Sequence, residues 1–257
     1  MGRPDAGGAG RAGSVDGVCG RYVQARGADD LLAEFEAEDA VGGEPWEVDY
    51  NVAPTKPVPV VLTRHRSGDR GGPRVRQLRI ARWGLVPHWS AESSTGGKMI
   101  NARAETASTL PAFRSALARR RCLVPADGWY EWAARPDVAG RQPYFLTMAA
   151  GGGLAFAGLY EIWGEQRLLT CAIVTTAAVG ALTEVHERMP LVLPREAWAD
   201  WLDPDRDDPG RLLDPPSAEL VVRIELRTVG PAVGNVANAG PGLIAPATPV
   251  PVAQTLF

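Results

Sequence analysis

A chain of 257 residues, 45% hydrophobic and 22% charged with a formal net charge of −3, is long enough to bury a sizeable core. Its longest apolar runs, such as LLTCAIV at 168–174, fall far short of the about 20 residues a membrane-spanning helix needs. The cysteines (Cys19, Cys122, Cys171) and histidines (His65, His88, His186) are scattered without paired spacing, which argues against a zinc site and a disulfide framework.

Residues 1–17 are Gly/Ala-rich and carry neither the apolar core of a secretory signal nor the pattern of a packed element. The expected address is cytoplasmic. Residues 1–18 are expected to be a disordered extension, a propeptide or a mis-annotated start, and residues 19–250 one domain. From Asp29, DDLLAEFEAEDA spaces Leu31, Leu32 and Phe35 as a helix behind acidic cap candidates. VPVVLT (58–63) and QLRIARWGLVP (77–87) read as strands of a hairpin turning through SGDRGGP (67–73). AFRSALARR (112–120) reads as an amphipathic helix leading into the strand RCLVP (121–125). Strands follow at 144–148, 154–160 and 168–176, with Gly-rich or polar turns between them. REAWADWL (195–202) reads as a helix, DPDRDDPG (203–210) as a polar loop, and AELVVRIEL (218–226) as a last strand. Strands joined by short turns, with helices between blocks, predict a single α+β domain on a largely antiparallel, barrel-like sheet.

The basic residues are almost all arginine, Lys56 and Lys98 excepted. They cluster in RVRQLRIAR (74–82), at Arg103 and in RRR (119–121). Local clusters can form a basic groove on an acidic protein, although arginine-favouring codon usage gives the same composition. Four stretches are polar where a core would be apolar. MINARAET (99–106) puts Asn101, Arg103 and Glu105 at alternate positions, one face if it is a strand. PADGWYEW (125–132) follows a turn-forming Asp-Gly with aromatics and Glu131. VHERMPLVLP (185–194) sets His186 and Arg188 before a proline, and VGNVANAG (233–240) is a Gly/Asn loop. Taken singly these are ordinary solvated or structural residues. A thiol, an amide, a carboxylate and an imidazole, each flanked by turn residues or proline, together suit a nucleophilic site.

CGRY at Cys19, NVAPT (51–55), WGLVPHW (83–89), INARAET, RRCLVPADGWYEW, AGLYEIW (157–163), IVTTAA and HERMPLVL follow one another in an order that resembles the SRAP family, the SOS response-associated peptidases that process abasic sites. The resemblance runs from Cys19 to about Pro246. It implies binding of single-stranded DNA that contains abasic sites, nucleoid association while that DNA is bound, and a covalent link through an N-terminal cysteine. Carried over by motif, the active-site residues are Cys19, Asn101, Glu131 and His186, while Arg21, Arg103 and Arg188 are expected at phosphates. Pro54 and Trp89 are candidates to wedge against or stack on bases, with Trp83 read rather as core. No cofactor or metal is called for, and a monomer is expected. Family members place the cysteine directly after the initiator methionine, whereas here it is residue 19. Val18 encoded by a GTG start codon, or removal of a propeptide by the protein itself, would each make Cys19 the first residue; the start-codon reading is favoured. Cys122 and Cys171 are expected to be buried and inert, and His65 and His88 to be loop residues without a role. One rival reading is an N-terminal-nucleophile amidohydrolase that uses Cys19 on a small amide; a second is a plain DNA-binding module in which the cysteine has no role.

Overall fold

Alternation along one strand divides the interior. In the computed structural model, which describes residues 19–42, 46–66, 72–136 and 140–247, Val58, Val60 and Leu62 face one apolar cluster and Val61 faces another. Successive side chains of a strand point to opposite faces, so the sheet separates two cores. In chain order the strands and helices are β1 (Tyr22–Gln24), α1 (Ala28–Phe35), β2 (Glu38–Asp39), β3 (Asp49–Val52), β4 (Pro57–His65), β5 (Arg74–Trp83), β6 (Asn101–Arg103), α2 (Ala104–Ala107), α3 (Arg114–Arg119), β7 (Arg121–Ala126), β8 (Gly128–Ala134), β9 (Arg141–Met148), β10 (Leu154–Trp163), β11 (Leu168–Ala177), β12 (Arg188–Pro190), α4 (Trp198–Leu202), α5 (Ala218–Val221) and β13 (Ile224–Thr228).

The larger sheet runs β12-β11-β10-β7-β4-β5-β2, and a parallel pairing of β11 with β5 (Thr170 with Arg82, Cys171 with Trp83) curls it into a barrel-like ring. The ring's interior holds Val60, Trp83, Cys122, Phe156, Cys171 and Ile173. Its outside is covered by α1 through Phe35, α3 through Leu117 and α4 through Trp198 and Trp201. The second sheet, β13-β9-β8-β1-β3, adds Tyr22, Trp129 and Leu146 to the interior cluster, while Tyr130 and Phe145 on its other face form a third. A mixed α and β single domain with one barrel-like ring is therefore the architecture, as the strand count and short turns predict.

Three expectations need correction. AELVVRIEL is not one strand: Ser217 caps α5 by accepting from the Leu220 N–H, and the strand begins only at Ile224. Asn101, Arg103 and Glu105 do not share a strand face, because β6 ends at Arg103 and Glu105 lies in α2. His65 is the last residue of β4 rather than a loop residue, its ring bonded to Gly72 O and Asp205. The SGDRGGP turn falls largely outside the described residues, as does all of 1–18. Asp-Gly at 127–128 does turn the chain, but Gly128 already belongs to β8. A Cβ there would meet the Phe145 ring at 2.4 Å and Leu146 O at 2.5 Å, so only glycine lets β8 lie this close to β9.

The RRR cluster is spent on the fold. Arg121 is buried and donates from Nε to Trp201 O (2.7 Å), from one Nη to Leu117 O and Ala118 O, and from the other to Asp203 O and Arg206 O. Arg119 reaches Asp207 and Arg120 reaches Glu161. Arg121 thus ties α3, α4 and the acidic loop to β7 with no carboxylate partner among the described residues. Arg121→Ala strands five carbonyls and is expected to cost about 3–5 kcal/mol. Thermal denaturation checks this, with a fall in Tm on the order of 10 °C.

Candidate active site

Cys19 precedes β1, which pairs antiparallel with β8 (Tyr22 with Trp129), so the segment before β1 runs back along the Glu131 end of β8. The Cys19 N–H donates to Glu131 Oε1 at 2.7 Å. Both side chains are buried, Glu131 at 4% exposure, and Cys19 packs in the cluster of Tyr22, Trp83, Trp129 and Phe156. Burial pushes the Glu131 carboxyl up to about 8, opposed by the bond from Cys19 N–H and by the Arg141 guanidinium. The sequence suggests Trp129, Tyr130 and Trp132 as the desolvating aromatics. Strand alternation places only Trp129 in the interior cluster, while Tyr130 and Trp132 pack on the opposite face. The Cys19 thiol is likewise pushed well up, first by burial and then by the Glu131 carboxylate, so at neutral pH it is a thiol. Cys19 also holds φ at 47°, a left-handed conformation uncommon for a residue with a Cβ.

His186 follows a 3-10 turn (Gly180–Glu184) and its Nδ1 accepts from the Arg188 N–H at 3.0 Å. Acceptance at Nδ1 leaves the neutral ring's proton on Nε2. Burial keeps its pKa below the usual value, opposed chiefly by Glu187 and aided to a lesser degree by the charge of Arg141. Arg141 thus acts on both Glu131 and His186, which puts the two groups under one cationic neighbour. Asn101 opens β6, half-buried and in parallel register with Ile173 of β11, a strand of the same ring. Direct contact joins Cys19 and Glu131; Asn101 and His186 are placed by the β6–β11–β12 edge of that ring.

The expected DNA contacts are divided. Arg103 is exposed at the end of β6, Pro54 is half-buried in a turn, and Trp89 is 58% exposed on a loop pinned by Trp163 Nε1–H to Ser90 O. Trp83 is core, its indole N–H bonded to Ile100 O. Arg188 presents its fork to Glu105, two bonds of 3.0 Å each, and also donates to Thr175 O. The ion pair holds the Glu105 carboxyl below its ordinary range. Arg21 donates to Asn51 Oδ1 (2.9 Å) and to the carbonyls of Val233 and Gly234.

Sequence reasoning missed Asn51. Fully buried, it donates to Val233 O, Asn235 O and Asn238 O, so Arg21 and Asn51 together clamp the VGNVANAG loop beside β1. The loop's own Gly/Asn content and the polar Asn in NVAPT were the available signals. Cys122 and Cys171 are buried, both with thiols pushed up by burial. His88 is exposed, 3.6 Å from Glu161. Among the described residues there is no cluster of metal-ligating side chains and no helix long and apolar enough to cross a membrane.

The family model for SOS response associated peptidase (SRAP) matches residues 18–236. The abasic site processing protein YoqW of Bacillus subtilis (strain 168) is 35% identical over 233 residues, covering 88% of this chain and 99% of that protein. The abasic site processing protein YedK of Escherichia coli (strain K12) is 32% identical, covering 89% of this chain and all of its own length. A crystal structure of a protein from Bacteroides thetaiotaomicron shares the fold at a TM-score of 0.75 and 22% identity, covering 90% of this chain and all of that one. With Cys19, Asn101, Glu131 and His186 all inside the matched segment, the chain belongs to the SOS response-associated peptidase (SRAP) family, together with relatives named as abasic site processing proteins.

Proposed function

We propose that this chain captures abasic sites in single-stranded DNA as a covalent thiazolidine on Cys19, with Cys19 as the first residue of the mature domain. One observation carries the reading: the backbone nitrogen of Cys19 lies 2.7 Å from a buried carboxyl whose pKa is about 8. A nitrogen there that is an α-amine, of pKa roughly 7.7–8.0, is matched to Glu131 for proton exchange near neutral pH.

In its open form an abasic deoxyribose presents an aldehyde at C1′. Glu131 in its ionised form takes a proton from the Cys19 ammonium, and the freed amine attacks C1′. The C–N bond forms as a proton passes from that nitrogen to the carbonyl oxygen, which becomes a hydroxyl. Glu131 returns its proton to the hydroxyl, which leaves as water to give the protonated imine. The Cys19 sulfur then adds to the imine carbon, its S–H proton passing to the Glu131 carboxylate, and a five-membered ring closes. Because the thiol is protonated at neutral pH, the amine acts first. The second attack is intramolecular and draws on a high effective molarity. His186, with its proton on Nε2, is suited to donate to the sugar ring oxygen as the hemiacetal opens, and Asn101 to hydrogen-bond the cysteine and sugar.

The peptidase label of the family fits the same contact. In a chain that continues upstream of Cys19, the nitrogen held by Glu131 is the one that leaves as an amine when water attacks the preceding carbonyl and that C–N bond breaks, and a carboxyl protonated up to about pH 8 can supply its proton. Arginines and the exposed Trp89 favour sequence-independent contact with the strand, weakening as salt rises. A monomeric, cytoplasmic protein beginning its domain at Cys19 completes the reading.

The test is denaturing electrophoresis of the chain with single-stranded DNA treated with uracil-DNA glycosylase. An SDS-resistant adduct is expected with the wild type and none with Cys19→Ala. Adduct formation by Cys19→Ala at the wild-type yield would overturn the proposal, while turnover of a small amide without any adduct would favour the amidohydrolase.

A further inference from the structure

The arginines of RVRQLRIAR serve different ends. Arg74 pairs with Asp203 and Asp205, and Arg76 donates to Phe35 O, both structural uses. Arg79 and Arg82, the latter also donating to Ser93 O, line a depression of about 360 Å3 together with Thr55, Gln166 and Arg167. Three arginines and no acidic residue stand among its described lining residues, in a chain whose net charge is −3. Arg167 is exposed in the turn between β10 and β11. A concave surface of one charge sign concentrates counter-ions of the opposite sign. Guanidinium forks match phosphate oxygens bidentately, and the Thr55 hydroxyl and Gln166 amide add neutral donors.

Two connections join this depression to Trp89 and Pro54, the residues expected against bases. Arg82 donates to Ser93 O, in the loop that also carries Trp89. Thr55 directly follows Pro54 and holds φ at 74°, a strained value for a β-branched residue. The turn is fixed there by the Thr55 N–H bonded to Trp83 O at 2.7 Å and the Trp83 N–H bonded to Lys56 O. The depression therefore begins where the Pro54 turn ends.

We infer that the Arg79–Arg82–Arg167 depression is a phosphodiester subsite, which holds the DNA backbone on the far side of the Pro54 turn from Cys19. It rests on the DNA reading above and extends it by giving one arm of the strand a seat away from the lesion. Its occupancy depends on how far that arm extends.

The experiment is fluorescence anisotropy with single-stranded oligonucleotides that carry a central tetrahydrofuran abasic analogue, which lacks the aldehyde and cannot crosslink. Three DNAs are used: one extended on both sides, one cut short on the 5′ side, and one cut short on the 3′ side. Arg167→Gln is expected to weaken binding of the extended DNA about threefold and Arg79→Gln/Arg167→Gln about tenfold at 0.1 M salt. The log–log salt dependence should become shallower by about 0.7 and about 1.4, the loss of one and two phosphate contacts on a single strand. On one of the two shortened DNAs the wild type should fall to the double variant's affinity and the substitutions should have no further effect. Unchanged affinity and slope on the extended DNA, or equal losses on both shortened ones, overturn the subsite. Arg167→Gln alone, on an exposed side chain, keeps the test valid if Arg79→Gln lowers the melting temperature. Failure of the wild type to bind any of the three DNAs is a failure of the DNA reading itself, and the subsite goes with it.

Discussion

Glu131→Gln is expected to slow crosslinking of abasic DNA by about 10²–10⁴-fold, the usual contribution of a positioned acid–base group, and yet to make the chain more stable at alkaline pH. Glutamine is nearly isosteric, and its carbonyl oxygen can still accept from the Cys19 N–H, so the local fold survives. What it cannot do is take a proton from the amine and return it to the departing hydroxyl. The stability effect follows from the raised pKa. Folded, the carboxyl keeps its proton to about pH 8; unfolded, it releases it near the ordinary 4.5. The folded state therefore binds more protons across that window, and stability is greatest below pH 4.5 and falls as pH rises towards 8. The penalty at pH 8 and above amounts to at most about 5 kcal/mol. Melting curves of the full chain from pH 5 to 9 should fall for the wild type and run flatter for Glu131→Gln. Full crosslinking rate in Glu131→Gln at neutral pH would show that the carboxyl is not the proton carrier.

The candidate site was legible where its residues sit in short, ordered motifs, and illegible where it depends on long-range register. Glu131 stood out because Asp-Gly and a run of aromatics bracket a lone carboxylate, and the family resemblance of that motif gave it a role. That its partner is the Cys19 nitrogen, 112 residues away, could not be read from spacing, because only the β1–β8 pairing brings them together. Asn51 was invisible for the same reason: its acceptors lie more than 180 residues on. The long apolar strands β4, β10 and β11 were read almost to their ends, since each feeds an interior cluster with regular alternation. The short strands β1 and β3, three and four residues, carry too little alternation to register. AELVVRIEL failed because β-branched residues outweighed the Ser217 cap that starts α5. RRR looked like a DNA footprint, but composition cannot distinguish an arginine that faces solvent from one that, like Arg121, donates to carbonyls on every side.

A chain that starts at Cys19 is expected to crosslink abasic DNA, and the same chain with one residue placed ahead of Cys19 to crosslink at least about 10³-fold less. The extra residue turns the amine into an amide, whose nitrogen is not a nucleophile. Sulfur alone then yields only a reversible hemithioacetal, without the advantage of intramolecular closure, an advantage that reaches about 10⁵–10⁸ M in favourable cases. Cys19→Ser at the first position separates the two groups: its amine should still give an imine that borohydride traps, but no adduct that survives without reduction. The backbone argues the same way. A positive φ is unfavourable for an L-residue partly because its Cβ approaches the preceding carbonyl oxygen. At 47° Cys19 bears that strain, of about 1–3 kcal/mol, for as long as a residue precedes it. A chain that begins with Cys19 has no preceding carbonyl, so the conformation that holds the nitrogen on Glu131 becomes free of that clash. Upstream residues therefore cost both reactivity and conformational energy, and their removal restores both. Mass spectrometry of the purified polypeptide, paired with its crosslinking yield, decides the matter: full yield from a population still beginning upstream of Cys19 would leave the α-amine without a role.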